Sequence, residues 1–348
     1  MATKIRRILV AIRDLDHAPI KELRKAGILA RAAGVPVELF HAIDAPDPAR
    51  GYPETKTRGL VDHERAAVVH AEEHRLGRLA RSQALRGVKV IWKAVWAHPA
   101  HEAIIQRAVI THADLVIAAT HRHGLRERLL LRNTDWELIR HCPVPVLLVK
   151  SARAYTRPVI LAAIDPLHRH ARPAGLDSKL LLSGEYLAQI LRGTLHVVHA
   201  YMPIAEMAPI SGAPLLTLPA SVQEARRNEI AAAVSRLAER ASVPAARRHI
   251  CIGDVSDTLS AVSKRTGTSI VVMGAVSRSV VVRTIIGNAA ERALDKLSCD
   301  VLIVKPRGFT SSVTSRRAVG NRRLTSRGRL IPRGIPPRDS EPGWVNSI

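Results

Sequence analysis

Short, almost uninterrupted apolar runs alternate with longer amphipathic stretches along most of the chain. The run at 5–12 has the length of a strand. Residues 18–33 place apolar side chains at helical spacing ahead of Gly34, which suits a helix C-terminal cap. In the first half of the chain the same alternation predicts strands at 5–12, 35–42, 88–95, 114–119 and 144–149, with helices at 18–33, 57–86, 100–111 and 133–141.

The pattern repeats once at long range. RRILVAIRD at 6–14 resembles RPVILAAID at 157–165, and VPVLLVK at 144–150 resembles CDVLIVK at 299–305. The first match places Asp14 opposite Asp165, and the second places Lys150 opposite Lys305. A period this long indicates two copies of one domain, at 1–150 and 157–306, joined by a short linker.

Each copy reads as alternating strands and helices, and its strands are apolar on both faces. This combination predicts an α/β fold, in which a parallel sheet is covered by helices on both sides. The second copy repeats the five strands near 158–164, 194–200, 248–252, 269–274 and 300–304. We therefore predict two tandem, doubly wound, five-stranded parallel-sheet domains, which bind ligands at the carboxyl ends of their strands.

Composition narrows the class of protein and its compartment. No apolar run approaches the roughly 18 residues that span a bilayer, and only three cysteines are present, so we expect a cytoplasmic protein without a disulfide framework. The chain carries a formal charge of +23. Residues 307–348 hold nine arginines against Asp339 and Glu341 and lack periodicity, which predicts a disordered basic tail.

One glycine-containing motif follows a strand of the second copy. Strand 269–273 leads into Gly274-Ala-Val-Ser277, then nine residues, then Gly287-Asn288 and a predicted helix. This resembles the G-x2-G-x9-G-[ST] motif of the universal stress protein family. The resemblance covers both copies, about 1–306, and the strings at 95–106, 134–143 and 287–291 are similar to tandem members of the UspE type. It implies the adenine nucleotide alpha hydrolase-like fold.

The resemblance implies a nucleotide site in the second copy. By position, Asp165 after the first strand would hold the nucleoside or its metal, and Val198 would lie near the end of the second strand. Gly274, Ser277, Gly287 and Asn288 would surround the phosphates of ATP or a related nucleotide bound with magnesium, at a helix start that favours anions. Ser277 replaces a glycine of the motif and Asn288 replaces its Ser or Thr, so a tight turn and helix cap without ligand is the alternative.

The first copy lacks the glycines of the motif. Ala119, Arg122, Arg132 and Asn133 stand opposite Gly274, Ser277, Gly287 and Asn288. An arginine at the turn obstructs the approach of a phosphate to the backbone, although Arg122 and Arg132 could grip an anion by charge. Asp14 keeps its place after the first strand in this alignment. We expect the first copy to be chiefly structural.

Three functions remain open. The resemblance favours a protein that aids survival under stress, including DNA damage, by binding a nucleotide or other small ligand. A weak ATPase is the second, although no catalytic motif and no metal-ligand spacing is present. The third is a nucleic-acid-associated protective protein acting through its basic surface, for which ten aromatic residues provide few stacking platforms. The family also implies self-association through the last strands, here 144–149 and 301–304, and a tandem chain can make this pair internally as a pseudo-dimer.

Overall fold

The structure is a computed structural model that describes residues 4–17, 19–46, 56–120, 134–167, 175–202, 219–274, 288–313 and 345–346. The chain divides into two compact units. The N-terminal unit comprises 5–146 with 308–348, and the C-terminal unit comprises 147–307 with 1–4. None of the helices among the described residues is both long and apolar enough to cross a bilayer.

The N-terminal unit alternates strands and helices. Its elements are β1 (Ile8–Ile12), α1 (Ile20–Ala33), β2 (Val37–Ile43), α2 (Lys56–Ala80), β3 (Lys89–Trp96), α3 (Ala100–Ile110), β4 (Leu115–Ala119) and α4 (Thr134–His141). The strand order is β11-β3-β2-β1-β4. Strands β1, β2, β3 and β4 are parallel to one another. Strand β11 (Val345–Asn346) pairs antiparallel with β3. The position of β1 between β2 and β4 is the switch point of a doubly wound sheet.

The C-terminal unit repeats this architecture. Its elements are β5 (Val146–Val149, whose first residue belongs to the N-terminal unit), β6 (Val159–Ala163), α5 (Leu176–Ile190), β7 (Thr194–Tyr201), α6 (Ala220–Arg240), β8 (Arg248–Ile252), α7 (Val255–Thr266), β9 (Thr268–Gly274), α8 (Asn288–Lys296) and β10 (Asp300–Val304). The strand order is β5-β10-β9-β6-β7-β8. Strands β5 and β10, which end the two sequence repeats, are therefore neighbours in this sheet.

Burial explains why these segments form strands. Every residue of β1, β4 and β10 is buried, as expected for central strands covered on both faces. The amphipathic helices cover these faces with residues such as Leu23, Leu29 and Leu180. Gly34 ends α1 at φ 68°, the left-handed conformation predicted for a cap. The predicted tandem α/β fold is confirmed.

Most element ends lie within three residues of the prediction, and two larger differences stand out. The helix predicted at 57–86 ends at Ala80, followed by a separate 3-10 turn at Gln83–Leu85. The strand β11, inside the predicted tail, was not anticipated. Ser311 and Val313 of the same segment are buried, and residues 314–344, to which most of the disorder prediction refers, lie outside the described residues.

Candidate ligand site at the carboxyl edge of the C-terminal sheet

The turn after β6 is held in place by backbone and carboxylate contacts. The backbone N–H of Ile164 donates to the carbonyl of Val198 at 3.0 Å. The next N–H, that of Asp165, donates to Oδ1 of Asp177 at 3.1 Å, and Asp177 is a buried residue in the first turn of α5. The position of Asp165 is therefore fixed by both β7 and α5, at the switch point between β6 and β9.

A buried histidine adds a third tie at this edge. Nδ1 of His199 contacts the carbonyl of Ile164 at 3.0 Å, and His199 is 5% exposed. In the N-terminal unit, His41 makes the same contact with the carbonyl of Ile12 at 2.8 Å. Sequence reasoning missed both residues, although the dipeptide His-Ala recurs at 41–42 and 199–200, near the end of the second strand of each repeat.

Val198 does not present its side chain to this edge. It is 1% exposed and lies three residues before the end of β7, which continues to Tyr201. Its carbonyl is already hydrogen bonded to Ile164. Any contribution of β7 to ligand binding therefore falls to residues beyond Val198, of which Ala200 and Tyr201 are half-buried.

Gly274 ends β9, as predicted, and lies beside the first turn of α5. A Cβ built on Gly274 would lie 2.8 Å from Cδ2 of Leu176, a side chain that is 1% exposed. The glycine thus permits close packing of β9 against α5, and its φ is not in the left-handed region. Ser277 and Gly287 lie outside the described residues, and Asn288 is the first residue of α8.

A cavity of about 170 Å³ opens at Pro166, the residue that follows Asp165. Pro166 and the start of α5, at Gly175, Asp177 and Ser178, form one side of it. Arg236 and Arg240, one turn apart on α6, form another. Neither guanidinium is paired with a described residue. The cavity therefore joins a helix N-terminus, where the backbone dipole is positive, to two cationic side chains.

The neighbouring lysine on α5 does not supply a further cation to the cavity. Nζ of Lys179 donates to the carbonyl of Lys305 at 2.8 Å. Burial lowers the pKa of Lys179, and the charge of Arg307 lowers it further. The ammonium group of Lys179 is thus bonded to the backbone that follows the last strand. The positive charge at the cavity therefore comes from Arg236 and Arg240.

The corresponding edge of the N-terminal unit is arranged differently. The alignment that placed Asp14 opposite Asp165 is wrong by one residue. His41 pairs with Ile12 and His199 contacts Ile164, so the strand register puts Arg13 opposite Asp165. In this register the strings ILVAI at 8–12 and ILAAI at 160–164 match residue by residue, and Arg13 and Asp165 directly follow them.

At the carboxyl edge of the N-terminal sheet, the polar side chains after β1 and β4 bond to groups of the same unit. Asp14 accepts from the backbone N–H of Asp16 at 2.7 Å, and its Oδ2 contacts Nδ1 of His17 at 2.7 Å. The hydrogen bond to His17 and that from Asp16 lower the pKa of Asp14. Nζ of Lys21 donates to the carbonyl of Thr120, directly after β4. Arg122, Arg132 and Asn133 lie outside the described residues.

The structure thus brings some of the predicted site residues together. Asp165, the end of β7 and Gly274 share one sheet edge, whereas the side chain of Val198 is in the core. Arg236 and Arg240 were not predicted, because charged residues of a surface helix carry no signal of what they line until the helix is packed.

Sequence comparisons agree with this architecture. The profile of the universal stress protein family matches residues 4–150 and again 160–305. Universal stress protein E of Escherichia coli K12 is 29% identical over 266 residues, covering 74% of this chain and 79% of that protein. Universal stress protein E of Salmonella typhi is 30% identical over 234 residues, covering 65% and 72%.

Solved structures share the fold. A putative universal stress protein from Pseudomonas aeruginosa UCBPP-PA14 covers 92% of this chain and 99% of its own, with a TM-score of 0.64 and 24% identity. A functionally unknown protein from Pseudomonas aeruginosa PAO1 gives 0.65 and 22% with the same coverage. At these identities the likeness establishes the fold.

Proposed function

The chain belongs to the universal stress protein family, and from this premise we propose that its C-terminal unit binds a nucleotide such as ATP, with magnesium, at the edge that carries Asp165 and Gly274. The protein would act in the cytoplasm as a ligand-responsive stress protein. The observation that carries the proposal is the cavity at Pro166, directly after Asp165, which is bounded by the start of α5 and by two arginines of α6.

The chemistry of this edge suits an anionic ligand. The unpaired N–H groups at a helix start and the guanidinium groups of Arg236 and Arg240 favour negative charge. The carboxylate of Asp165 offers an acceptor for a ribose hydroxyl or a ligand for magnesium. The phosphates would extend toward Gly274 and the start of α8 at Asn288, as the family motif implies.

The two units differ in a way that favours nucleotide binding by the C-terminal unit. In the N-terminal unit Arg13 stands where Asp165 stands, and Lys21 closes the end of β4 on Thr120. A nucleoside hydroxyl would meet a cation there instead of a carboxylate. We therefore assign one nucleotide to each chain, with the N-terminal unit in a structural role.

The proposal is tested by calorimetric titration of the full chain with ATP and magnesium. The variant Gly287→Arg copies the arginine found at the matching position of the first repeat, and Ala225→Arg adds the same side chain to an exposed face of α6. We expect one nucleotide per chain for the native protein and for Ala225→Arg, and loss of at least tenfold in affinity for Gly287→Arg, roughly 1.4 kcal/mol. Equal binding by all three proteins would refute the site.

The role in stress survival, including DNA damage, is proposed to depend on the ligand-bound protein. A strain lacking the gene would be complemented with the native chain, Gly287→Arg or Ala225→Arg, and survival after irradiation would be compared. Complementation by the native chain and Ala225→Arg but not by Gly287→Arg is expected. Full complementation by Gly287→Arg would separate the cellular role from the nucleotide.

A further inference from the structure

A chain of side-chain hydrogen bonds crosses one face of the C-terminal sheet at its edge strand. Nη2 of Arg265, in the last turn of α7, lies 3.4 Å from Nδ1 of His249 on β8. Nε2 of His249 lies 3.0 Å from Nδ1 of His196 on the neighbouring strand β7. The two rings are inclined by only 13° and their centroids are 5.3 Å apart. Since the nitrogens are much closer than the centroids, the rings meet edge to edge.

The arginine fixes the positions of the protons along this chain. A guanidinium group only donates hydrogen bonds, so Nδ1 of His249 must accept. A neutral imidazole has one N–H, and that of His249 is therefore on Nε2, from which it donates to Nδ1 of His196. His196 in turn carries its N–H on Nε2. Arg265 thus assigns the tautomers of both histidines.

The chain has no place for an added proton. A protonated imidazole carries N–H groups on both nitrogens. On His249 the added proton would face an N–H of Arg265, and on His196 it would face the N–H of His249. If His249 instead moved its proton to Nδ1, that N–H would again face Arg265. Every protonated state therefore loses at least one hydrogen bond of the chain and adds a like charge beside the guanidinium group.

The surroundings of the histidine pair also disfavour its charged form. Burial lowers the pKa of His196, and the charges of His249 and Arg247 lower it further. Burial lowers the pKa of His249 as well, and the charge of Arg265 adds to the effect. Cys251, two residues beyond His249 on the same face of β8, is a free thiol. The charges that face the pair are therefore positive.

Helices α5 and α6 lie on the opposite face of the sheet from the pair. A Cβ built on Gly184 of α5 would lie 2.8 Å from Cδ1 of Leu195, which precedes the first histidine. Arg248, which precedes the second, contacts Oε1 of Glu239 on α6 at 3.3 Å. Because successive strand residues point to opposite faces, the carboxylates of α5 and α6 are separated from the histidines by the sheet.

Helix α7 covers the face that carries the pair. Its carboxylates, Asp257 and the capping residue Asp254, are at its first turn and pair with cations of α8. Its last turn, which reaches the pair, holds Lys264 and Arg265. Protonation of the histidines would thus add positive charge next to the basic end of α7.

We propose that Arg265, His249 and His196 form a proton-sensitive latch, which fastens the edge strand β8 to β7 and α7 at neutral pH and releases β8 in mild acid. Strand β8 lies at the end of the strand order, and within the described part of the chain it pairs with β7 alone. The loss of this side-chain tie is therefore not offset by a second neighbouring strand. The C-terminal unit would respond to acidification independently of any nucleotide.

Nuclear magnetic resonance of the imidazole nitrogens tests the proton arrangement in the native full chain. We expect both His196 and His249 to be neutral Nε2–H tautomers at neutral pH and to titrate below the usual pKa of 6.5. An Nδ1–H tautomer at either residue, or titration above 6.5, would overturn the proposal.

Hydrogen–deuterium exchange followed by mass spectrometry measures the release of β8. Because the folded-state pKa values lie below 6.5, the contribution of the latch is fully present above pH 6.5 and is lost as pH falls through those values. Exchange is compared at about pH 7.5 and about pH 5, after correction for the intrinsic pH dependence of amide exchange. We expect protection of 248–252 to fall roughly tenfold in acid, while the central strands β6 and β9 keep theirs.

A double variant, His196→Asn with His249→Gln, provides the matched comparison. Asparagine keeps an acceptor at the position of Nδ1, glutamine keeps a donor at that of Nε2, and neither amide titrates. Protection of β8 in this variant should be the same at both pH values. The control His63→Gln, which changes an exposed histidine of α2, should respond as the native chain does. His196→Asn alone should respond less than the native chain, and it replaces the double variant if that does not fold.

Three exchange results would overturn the proposal. They are equal protection of native β8 at both pH values, an acid-induced loss that is as large in β6 and β9 as in β8, and an undiminished acid response in the histidine variants.

Discussion

The phenolic hydroxyl of Tyr155 donates a 2.6 Å hydrogen bond to Oδ2 of Asp300. The other oxygen of this fully buried carboxyl group accepts the backbone N–H groups of Lys150 and Ser151, at 2.8 Å and 2.9 Å. One acidic residue at the start of β10 thus fastens the segment that follows β5. Nζ of Lys150 donates to the carbonyl of Leu297, just beyond the end of α8, at 2.9 Å.

We predict that Tyr155→Phe lowers the free energy of unfolding by about 1.5–3 kcal/mol, because it removes a hydroxyl donor from a buried carboxyl group. Chemical denaturation followed by circular dichroism measures the change. Tyr201→Phe, in a half-buried position on β7, is the matched control and should cost well under half as much. Equal losses would mean that the hydroxyl of Tyr155 contributes nothing specific.

The same residue should confer alkaline sensitivity. Burial raises the pKa of Tyr155 well above its usual value of 10.0, and the charge of Asp300 raises it further. The folded-state pKa of Tyr155 exceeds that of the unfolded chain. The stability that its neutral side chain contributes is therefore fully present below pH 10 and is lost as pH rises above it. Unfolding free energies measured on both sides of pH 10 should therefore converge for native protein and Tyr155→Phe as pH rises. A constant difference would contradict this linkage.

Glu22 in the first turn of α1 is 7% exposed. Burial raises the pKa of its carboxyl group. The neutral form is therefore the better tolerated one, and stability falls as pH rises through the folded-state pKa. We predict that Glu22→Gln is more stable than the native chain at neutral pH and loses this advantage below pH 4.5. Melting temperatures of both proteins, measured from neutral pH to below pH 4.5, would show this change. A lower melting temperature for Glu22→Gln than for the native chain at neutral pH would contradict the prediction.

Asp254 caps α7 through Oδ1, which accepts the backbone N–H of Ser256 at 2.8 Å. Asp254→Ala should cost about 0.5–2 kcal/mol, and Asp254→Asn, which retains a capping oxygen, should cost less. Hydrogen bonds from Ser256 lower the pKa of Asp254, so this contribution is present above pH 3.8 and is lost as pH falls through the folded-state value. Denaturant midpoints of both variants at neutral and acidic pH measure it, and an Asn variant no better than Ala would refute the cap.

The sequence predicted the repeat, the order of strands and helices, and the edge at which Asp165 and Gly274 lie, because apolar runs and strand ends are local signals. It did not predict β11, which depends on contact with β3 across more than 240 residues of chain. It also misaligned Asp14, because two similar apolar strings can be matched in more than one register, and the contacts of His41 and His199 with the first strands define the correct one. The contribution of Arg236 and Arg240 to a cavity likewise requires the packing of α6 against α5.

Photolabelling tests the central claim, nucleotide binding at one edge of the C-terminal unit, most directly. The full chain is irradiated with 8-azido-ATP and magnesium, and the modified peptides are identified by mass spectrometry. The account predicts labelling in the segments that follow β6, β7 or β9, suppressed by excess ATP and by Gly287→Arg but not by Ala225→Arg. Labelling confined to the N-terminal unit, or labelling that ATP does not suppress, would contradict it.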